Sequence, residues 1–269
     1  MNINTKDYII SGGQDGKSRL NVLAGVMHGY TQSLLQDQGL RQGMSMLDLG
    51  CGGGHVSMMA SGIVGEQGRV TAVDFDAGMI ALVREDLAAQ GFRNISLQVA
   101  NVYDISFEGE FDIAYSRFLL SHLERPLEVL MKMKDSVKPG GKIIVEDVCF
   151  DGHFCDPACS AFDKYVRYYI AAAKSRGADA NIGAVLAPLF QQAGIGDIGF
   201  DIVRPEFSSG PGKWMAYLTL EKIKETLVSL GLASAESVVR LLQELEQFTL
   251  DDKTTISLPL IFRIWGVKK

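Results

Sequence analysis

The segment Leu47-Asp48-Leu49-Gly50-Cys51-Gly52-Gly53-Gly54 sets an acid two residues ahead of a run of glycines, at the end of a short apolar stretch. Glycines placed there let the backbone turn tightly and come close to a ligand, at the sheet edge where open α/β folds bind nucleotides. A dinucleotide fingerprint would need glycines at 50, 52 and 55; position 55 is His55, and the third glycine comes one residue early, at Gly54. Asp48 is also foreign to that fingerprint, so the loop suits a ligand without a pyrophosphate. Asp74 ends the next apolar stretch, Arg69 to Asp74, where a carboxylate accepts hydrogen bonds from both hydroxyls of a ribose. Together the glycines and Asp74 put a nucleoside across the first two strands. The third strand runs into Ala100-Asn101-Val102-Tyr103-Asp104, set to meet an adenine edge, while Phe75 and Met79 offer apolar contact to the ring faces.

The elements that must hold these residues alternate. A helical period over Leu20, Leu23, Met27, Tyr30 and Leu34 predicts an N-terminal helix from Asp15 to about Gly39. Strands are expected at Met44 to Leu49, Arg69 to Asp74, Ile95 to Ala100, Phe111 to Tyr115 and Gly141 to Asp147. Helices fall between them: one through Val56, Met59, Ala60 and Ile63, one capped by Asp76 and ended by Gly91, and one from Pro126 to about Val137. This rhythm predicts an α/β fold with a doubly wound, mostly parallel seven-stranded sheet. Beyond Asp147 the spacing predicts helices over 156–176 and over Ile182 to Ala193, a strand from Asp197 to Val203, two helices within 211–250, and a final strand from Thr255 to Val267. The organisation expected is an N-terminal helical cap (1–39), a ligand-binding core (40–150), an acceptor-side helical segment that continues the sheet (151–204), a helical insertion (205–254) and a last core strand (255–269).

In these blocks the chain resembles the class I S-adenosylmethionine-dependent methyltransferases, specifically the small-molecule branch. The likeness runs over about residues 40–150, through the glycine loop, Val70-Thr71-Ala72-Val73-Asp74, Phe111-Asp112-Ile113-Ala114-Tyr115-Ser116-Arg117-Phe118 and Lys138-Pro139-Gly140-Gly141, in that order. It implies a Rossmann-like core that binds S-adenosyl-L-methionine. In such proteins the matches to Gly50 and Gly52 line the methionine part, the match to Asp74 binds the ribose, and the match to Asn101 touches the adenine amine. That last position is commonly Asp; Asn101 still accepts through its carbonyl oxygen. The cofactor-contacting set expected is Asp48, Gly50, Cys51, Gly52, Asp74, Phe75, Met79, Asn101, Val102, Ser116, Arg117 and Phe118.

A sulfonium methyl is already activated, so the protein's main task is to align a nucleophile and exclude water. If the nucleophile carries a proton, His122, Glu146 and His153 are the candidate bases. Tyr115-Ser116-Arg117-Phe118 lacks the Asn/Asp-Pro-Pro-aromatic tetrad of relatives that modify nucleic-acid amines, and a net charge of −6 gives no basic face. The acceptor expected is therefore a small molecule, not nucleic acid. It should be enclosed by the N-terminal segment near Tyr8 and by residues 148–250, with the cofactor confined to the 40–120 half. Cys149, His153, Cys155 and Cys159 fall within eleven residues but lack paired CxxC knuckles, so reduced thiols are expected and no metal. No stretch of about 20 apolar residues points to a membrane, and the polar start Met1-Asn2-Ile3-Asn4-Thr5-Lys6-Asp7 points to the cytoplasm. Two other readings share the fold: a noncatalytic S-adenosylmethionine-binding regulator or partner, and a nicotinamide-dependent oxidoreductase, which the glycine spacing disfavours. Neither the acceptor atom nor the oligomeric state is legible in the chain.

Overall fold

A computed structural model of the protein describes residues 14–269. Helix α1 (Gln14–Asp37) leads into strand β1 (Ser45–Leu49), every residue of which is buried, as the centre of a parallel sheet requires. Then follow α2 (His55–Val64), β2 (Arg69–Asp74), α3 (Ala77–Gln90), β3 (Ile95–Val99), β4 (Phe111–Arg117), α4 (Pro126–Ser136) and β5 (Val137–Cys149). Local chemistry fixes several of these boundaries. The Asp76 side chain accepts the Met79 N–H at 3.0 Å to start α3, left-handed Gly91 ends it, and Pro126 occupies the first turn of α4.

The second half begins with the two-residue β6 (Cys155–Asp156) and α5 (Ser160–Lys174), followed by α6 (Leu186–Gln192), β7 (Gly196–Val203) and the two-residue β8 (Glu206–Phe207). It continues with α7 (Met215–Ser229), α8 (Ala235–Leu250), β9 (Thr255–Ser257) and β10 (Leu260–Val267). Seven strands form one sheet in the order β3-β2-β1-β4-β5-β10-β7, with β10 antiparallel to both its neighbours. The chain reverses its direction of winding between β1 and β4, the switch point at which such sheets bind ligands. Register there aligns Leu49 with Val73 on one side and Ser116 on the other, so the carboxyl ends of β1, β2 and β4 open together.

Three expected elements differ. The final strand divides, because Pro259 has no N–H for a ladder; β9 leaves the main sheet and pairs with β6 and β8. The helix expected from 156 begins at Ser160, since Pro157 holds the residue before it out of the helical region. Residues Ile182–Val185 form a 3-10 turn ahead of α6, because Pro188 cannot donate to a carbonyl four residues back and so belongs in a first turn.

One face of the sheet packs on α4 and α6 through Leu47, Leu49, Val145, Leu130 and Phe190. The opposite face packs on α1 and α2 through Met46, Tyr115, Ile144, Leu35 and Val56. A third core lies beyond the strand ends, where Leu23 and Met27 of α1 meet Phe162 and Tyr165 of α5, Leu220 and Ile223 of α7, and Leu241 and Leu245 of α8. The cap and the insertion are thus fused by a shared apolar interior above the open edge of the sheet.

Candidate active site

After Leu49 the chain turns at once. The Gly50 and Cys51 N–H groups both donate to the Val73 carbonyl, at 2.8 and 3.0 Å. Gly54 sits at φ +74°, and a Cβ there would lie 2.7 Å from Val83 Cγ1, so glycine is what lets α3 approach the loop. Asp74 braces the turn: Oδ2 accepts the Gly52 N–H at 2.8 Å and Oδ1 accepts the Asp76 N–H at 3.0 Å. The Phe75 N–H also bears on this carboxylate, which with about four acceptor positions keeps capacity for a ligand. Asp48 accepts the Ser57 hydroxyl at 2.5 Å. Burial pushes Asp48 up to about 6 and also raises Asp74, against the opposing pull of its backbone N–H partners. Burial and the neighbouring carboxylates hold the Cys51 thiol well above its ordinary range, so it stays protonated and is no nucleophile.

The loop opens on a cavity of about 240 Å³. Asp48, Gly50, Gly52, Asp74, Phe75 and Met79 line it from β1, β2 and α3. Arg117, Phe118 and His122 line it from the end of β4 and the turn beyond. Phe118 has φ +54°, strained for a non-glycine residue, where its N–H donates to the Glu146 carbonyl at 2.8 Å. The wall on the far side comes from Phe150, His153, Tyr165, Tyr169, Met215, Thr219, Leu258, Pro259 and Ile261, with Arg19, Leu20 and Leu23 of α1 beside them. Phe150 and Tyr169 stack there at 3.9 Å with their planes 5° apart.

Of the histidines in the lining, His122 and His153 are neutral. Burial pushes His122 down to about 4, with help from the Arg19 charge, and pushes His153 down to about 3. Burial raises the Tyr169 hydroxyl to about 12 and holds Tyr165 higher still.

Of the residues that the sequence singled out, Asp48, Gly50, Cys51, Gly52, Asp74, Phe75, Met79, Arg117, Phe118, His122 and His153 come together around this cavity. Asn101, Val102, Ser116 and Glu146 do not line it. Asn101 Oδ1 turns back onto its own loop to accept the Tyr103 N–H at 3.0 Å, and Val102 is packed into the core under α4. Strand alternation puts Ser116 on the face opposite Arg117, and it is fully buried. Glu146, a candidate base by sequence, is sealed under α1, where its carboxylate accepts the Tyr115 hydroxyl and, at 2.7 Å, the Thr31 hydroxyl. Among the described residues no group of His, Cys, Asp or Glu is arranged to hold a metal ion. Cys149 Sγ donates to Asn181 Oδ1 at 3.5 Å, apart from His153.

The part of the chain expected to face the acceptor also reaches the glycine loop. Tyr8 lies outside the described residues. Helix α1 instead covers the glycine loop: Leu20 Cδ1 would lie 3.6 Å from a Cβ on Gly52, and Asn21 Oδ1 pairs with His55 Nε2 at 2.9 Å. Arg19 then reaches from α1 to α7, its Nε–H donating to Thr219 Oγ1 at 3.1 Å. Sequence reasoning missed Arg19, Leu20, Ser121, Met215, Thr219, Leu258 and Pro259 as lining residues. Leu20 belongs to the apolar period that defined α1, and Pro259 carried a signal as a strand breaker; Leu258 sits in the link between β9 and β10, and the others sit in helical turns whose facing partners only the fold supplies.

The chain belongs to the methyltransferase domain family, whose pattern it matches over residues 40–194. It is 34% identical over 116 residues to a demethylmenaquinone methyltransferase from Shouchella clausii, covering 43% of this chain and 49% of that protein. A ubiquinone/menaquinone biosynthesis C-methyltransferase from Yersinia enterocolitica is 31% identical over 143 residues, covering 52% and 56%. The chain thus spans about half the length of the curated relatives it matches. In fold it is similar to phosphoethanolamine N-methyltransferase 2 from Haemonchus contortus in complex with S-adenosyl-L-methionine, with a TM-score of 0.58 and 17% identity over 93% of this chain and 56% of that one.

Proposed function

We propose that this protein transfers a methyl group from S-adenosyl-L-methionine to an uncharged small molecule built around a ring. The observation that carries the reading is the Asp74 carboxylate, which braces the glycine loop through Gly52 and keeps acceptor capacity facing the same cavity. The loop receives the methionine part, Asp74 the ribose hydroxyls, and Phe75 and Met79 the adenine. Asp48, with the pull of Arg117 on it, offers a carboxylate for the cofactor's ammonium. The sulfonium supplies an activated methyl; the protein holds the acceptor in line with it and keeps water away. Neutral His122 and His153 can take a proton or a hydrogen bond from the acceptor.

The quinone-directed names of the relatives and the aromatic wall of Phe150, Tyr165 and Tyr169 support a quinone-like ring as the acceptor. Among the described residues no helix is long and apolar enough to cross a membrane. Four free cysteines favour the reducing cytoplasm as the site of the reaction.

Calorimetry with S-adenosylhomocysteine and with NAD tests the reading. Binding of the first in the micromolar range and none of the second is the outcome expected. Transfer of labelled methyl from S-adenosylmethionine to a panel of reduced quinones then tests the acceptor. A protein that binds NAD and ignores S-adenosylhomocysteine would end the proposal.

A further inference from the structure

His153 is fixed in an unusual way for a residue surrounded by rings. It makes edge contacts with Phe150, Phe162 and Tyr165, with ring centroids 5.4, 4.7 and 5.7 Å away. A phenylalanine would suit such a niche without any buried polar atom. Yet Nε2 lies 2.8 Å from the Ser257 carbonyl, and because a carbonyl only accepts, Nε2 carries the proton. The tautomer is therefore set, and Nδ1 is left as a bare lone pair. That nitrogen is buried and has no hydrogen-bond partner, although His153 lines the cavity. A buried acceptor without a donor costs stability that a purely structural ring would avoid.

The clamp on the other side of the ring is substantial. Ser257 lies in β9, the strand that leaves the main sheet, and its hydroxyl also accepts the Phe154 N–H at 2.9 Å. One residue thereby grips both His153 and its neighbour. The charged lining residues Asp48, Asp74, Asp76 and Arg117 come from β1, β2, the turn after β2 and β4, and Arg19 comes from α1. The wall beside His153, from Phe150, Tyr165, Tyr169, Met215, Leu258 and Ile261, is made of uncharged side chains, and the one charge that acts on its tyrosines from the lining is Arg19, tied to Thr219.

Resting on the methyltransferase reading above, we propose that His153 is the residue that recognises the acceptor, its Nδ1 accepting a hydrogen bond from a hydroxyl on an uncharged aromatic ring. Ser257 is the positioning residue that fixes the tautomer and aims the lone pair. The site then discriminates between a ring bearing a free hydroxyl and the same ring with that hydroxyl capped, because only the first satisfies Nδ1.

The test uses the full chain saturated with S-adenosylhomocysteine and two stable probes, 1-naphthol and 1-methoxynaphthalene. Wild type is expected to bind the naphthol about tenfold more tightly, the typical worth of one satisfied buried hydrogen bond. The Nδ1 resonance in ¹⁵N spectra should move with the naphthol and stay put with the ether. His153→Gln keeps an amide able to reach the Ser257 carbonyl and lacks a group at the Nδ1 position; it should lose the preference while keeping S-adenosylhomocysteine affinity within about twofold. His153→Phe should do the same, and if it fails to fold, the Gln variant and the spectra still decide. Equal binding of the two probes by wild type, an unmoved Nδ1 resonance, no binding of either probe, or a preference that survives in folded His153→Gln would each overturn the inference. Absence of S-adenosylhomocysteine binding in wild type would instead sink the methyltransferase reading beneath it.

Discussion

Asp74 and Gly52 are joined by a 2.8 Å hydrogen bond from the glycine N–H to the carboxylate, so the residue assigned to the ribose also holds the shape of the loop assigned to the methionine. Its removal should therefore act twice. Asp74→Ala is expected to weaken S-adenosylhomocysteine binding by about 2–3 kcal/mol, roughly 30- to 150-fold, each hydrogen bond to a charged acceptor being worth about 1.5–3 kcal/mol before water compensates. Calorimetry on the folded variant measures it; affinity equal to wild type would show that Asp74 only props the loop.

Gly54 offers a test of the loop's packing that does not involve the ligand. At φ +74°, with Val83 Cγ1 2.7 Å from where a Cβ would sit, Gly54→Ala meets both backbone strain and a clash. A loss of about 2 kcal/mol is expected, which lowers Tm by roughly 4–8 °C at this chain length. Val83→Ala added to it should recover the clash but not the strain, so the double variant should be less damaged than the sum of the two single changes. Simple additivity in thermal melts would mean that α3 does not press on the loop.

The ease with which different parts were legible follows from where the determining contacts lie. The glycine loop, Asp74 and the Asp76 cap are specified within a few residues of chain, and the mostly parallel seven-stranded sheet followed from alternation of short apolar strands and helices. The burial of Glu146 was not legible because its place at the carboxyl end of β5 is a property of sequence, whereas the contact with Thr31 depends on α1, 115 residues away. Arg19 and Thr219, 200 residues apart, meet only once α1 and α7 share a core. The division of the last strand at Pro259 was readable in principle, since proline cannot donate to a ladder, but the pairing of β9 with β6 and β8 was not.

The pH dependence of cofactor binding should report Asp48. Burial pushes its folded pKa up to about 6, above the ordinary aspartate value of 3.8. The folded chain thus holds this proton more tightly than the unfolded one, and the group's contribution to stability declines as pH rises from about 4 to about 6. Buried Asp147, also pushed up to about 6, acts in the same sense, while His122 and His153, pushed down to about 4 and about 3, cost stability as pH falls below 6.5. Ligand binding has a simpler profile, because an ammonium prefers the ionised carboxylate. S-adenosylhomocysteine affinity should rise by up to about tenfold between pH 5 and 7, and Asp48→Asn should flatten most of that rise. A wild-type profile that is level across this range would remove Asp48 from the ammonium site.

Glu146 was a candidate base by sequence, and its surroundings give it another task. Its carboxylate ties β4 to α1 by accepting from Tyr115 and Thr31, and the Thr31 hydroxyl in turn accepts from Arg117 at 2.9 Å. Glu146→Gln keeps the volume but takes the charge from the one oxygen, Oε2, that accepts both hydroxyls, so a loss of about 1–3 kcal/mol in urea denaturation is expected. Loss of a true general base would cost about 10²–10⁴ in kcat, whereas this variant should stay within about threefold of wild type where it is folded. A hundredfold fall in kcat with unchanged stability would restore Glu146 to the chemistry.

The insertion between β7 and β10 can be dissected with point changes, because deleting it would uncover Leu23 and Met27 of α1 and Phe162 of α5, which share a core with α7 and α8. Only α7 of its two long helices reaches the cavity, through Met215 and Thr219; α8 packs behind it. Thr219 is 3% exposed, and its hydroxyl donates to the Met215 carbonyl at 2.7 Å while accepting from Arg19, so one small side chain links the lid helix α1 to the acceptor wall. Thr219→Val keeps the shape and leaves the Arg19 Nε–H without that acceptor, at a cost of about 1.5–3 kcal/mol before any relaxation. We expect acceptor KM to rise about tenfold with S-adenosylhomocysteine affinity within about twofold of wild type. Val239→Lys, on the exposed face of α8, should change neither and serves as the control for the insertion as a whole. If Thr219→Val weakens S-adenosylhomocysteine more than it raises acceptor KM, α7 belongs to the cofactor's enclosure and the acceptor wall must be sought among β5, α5 and the link between β9 and β10.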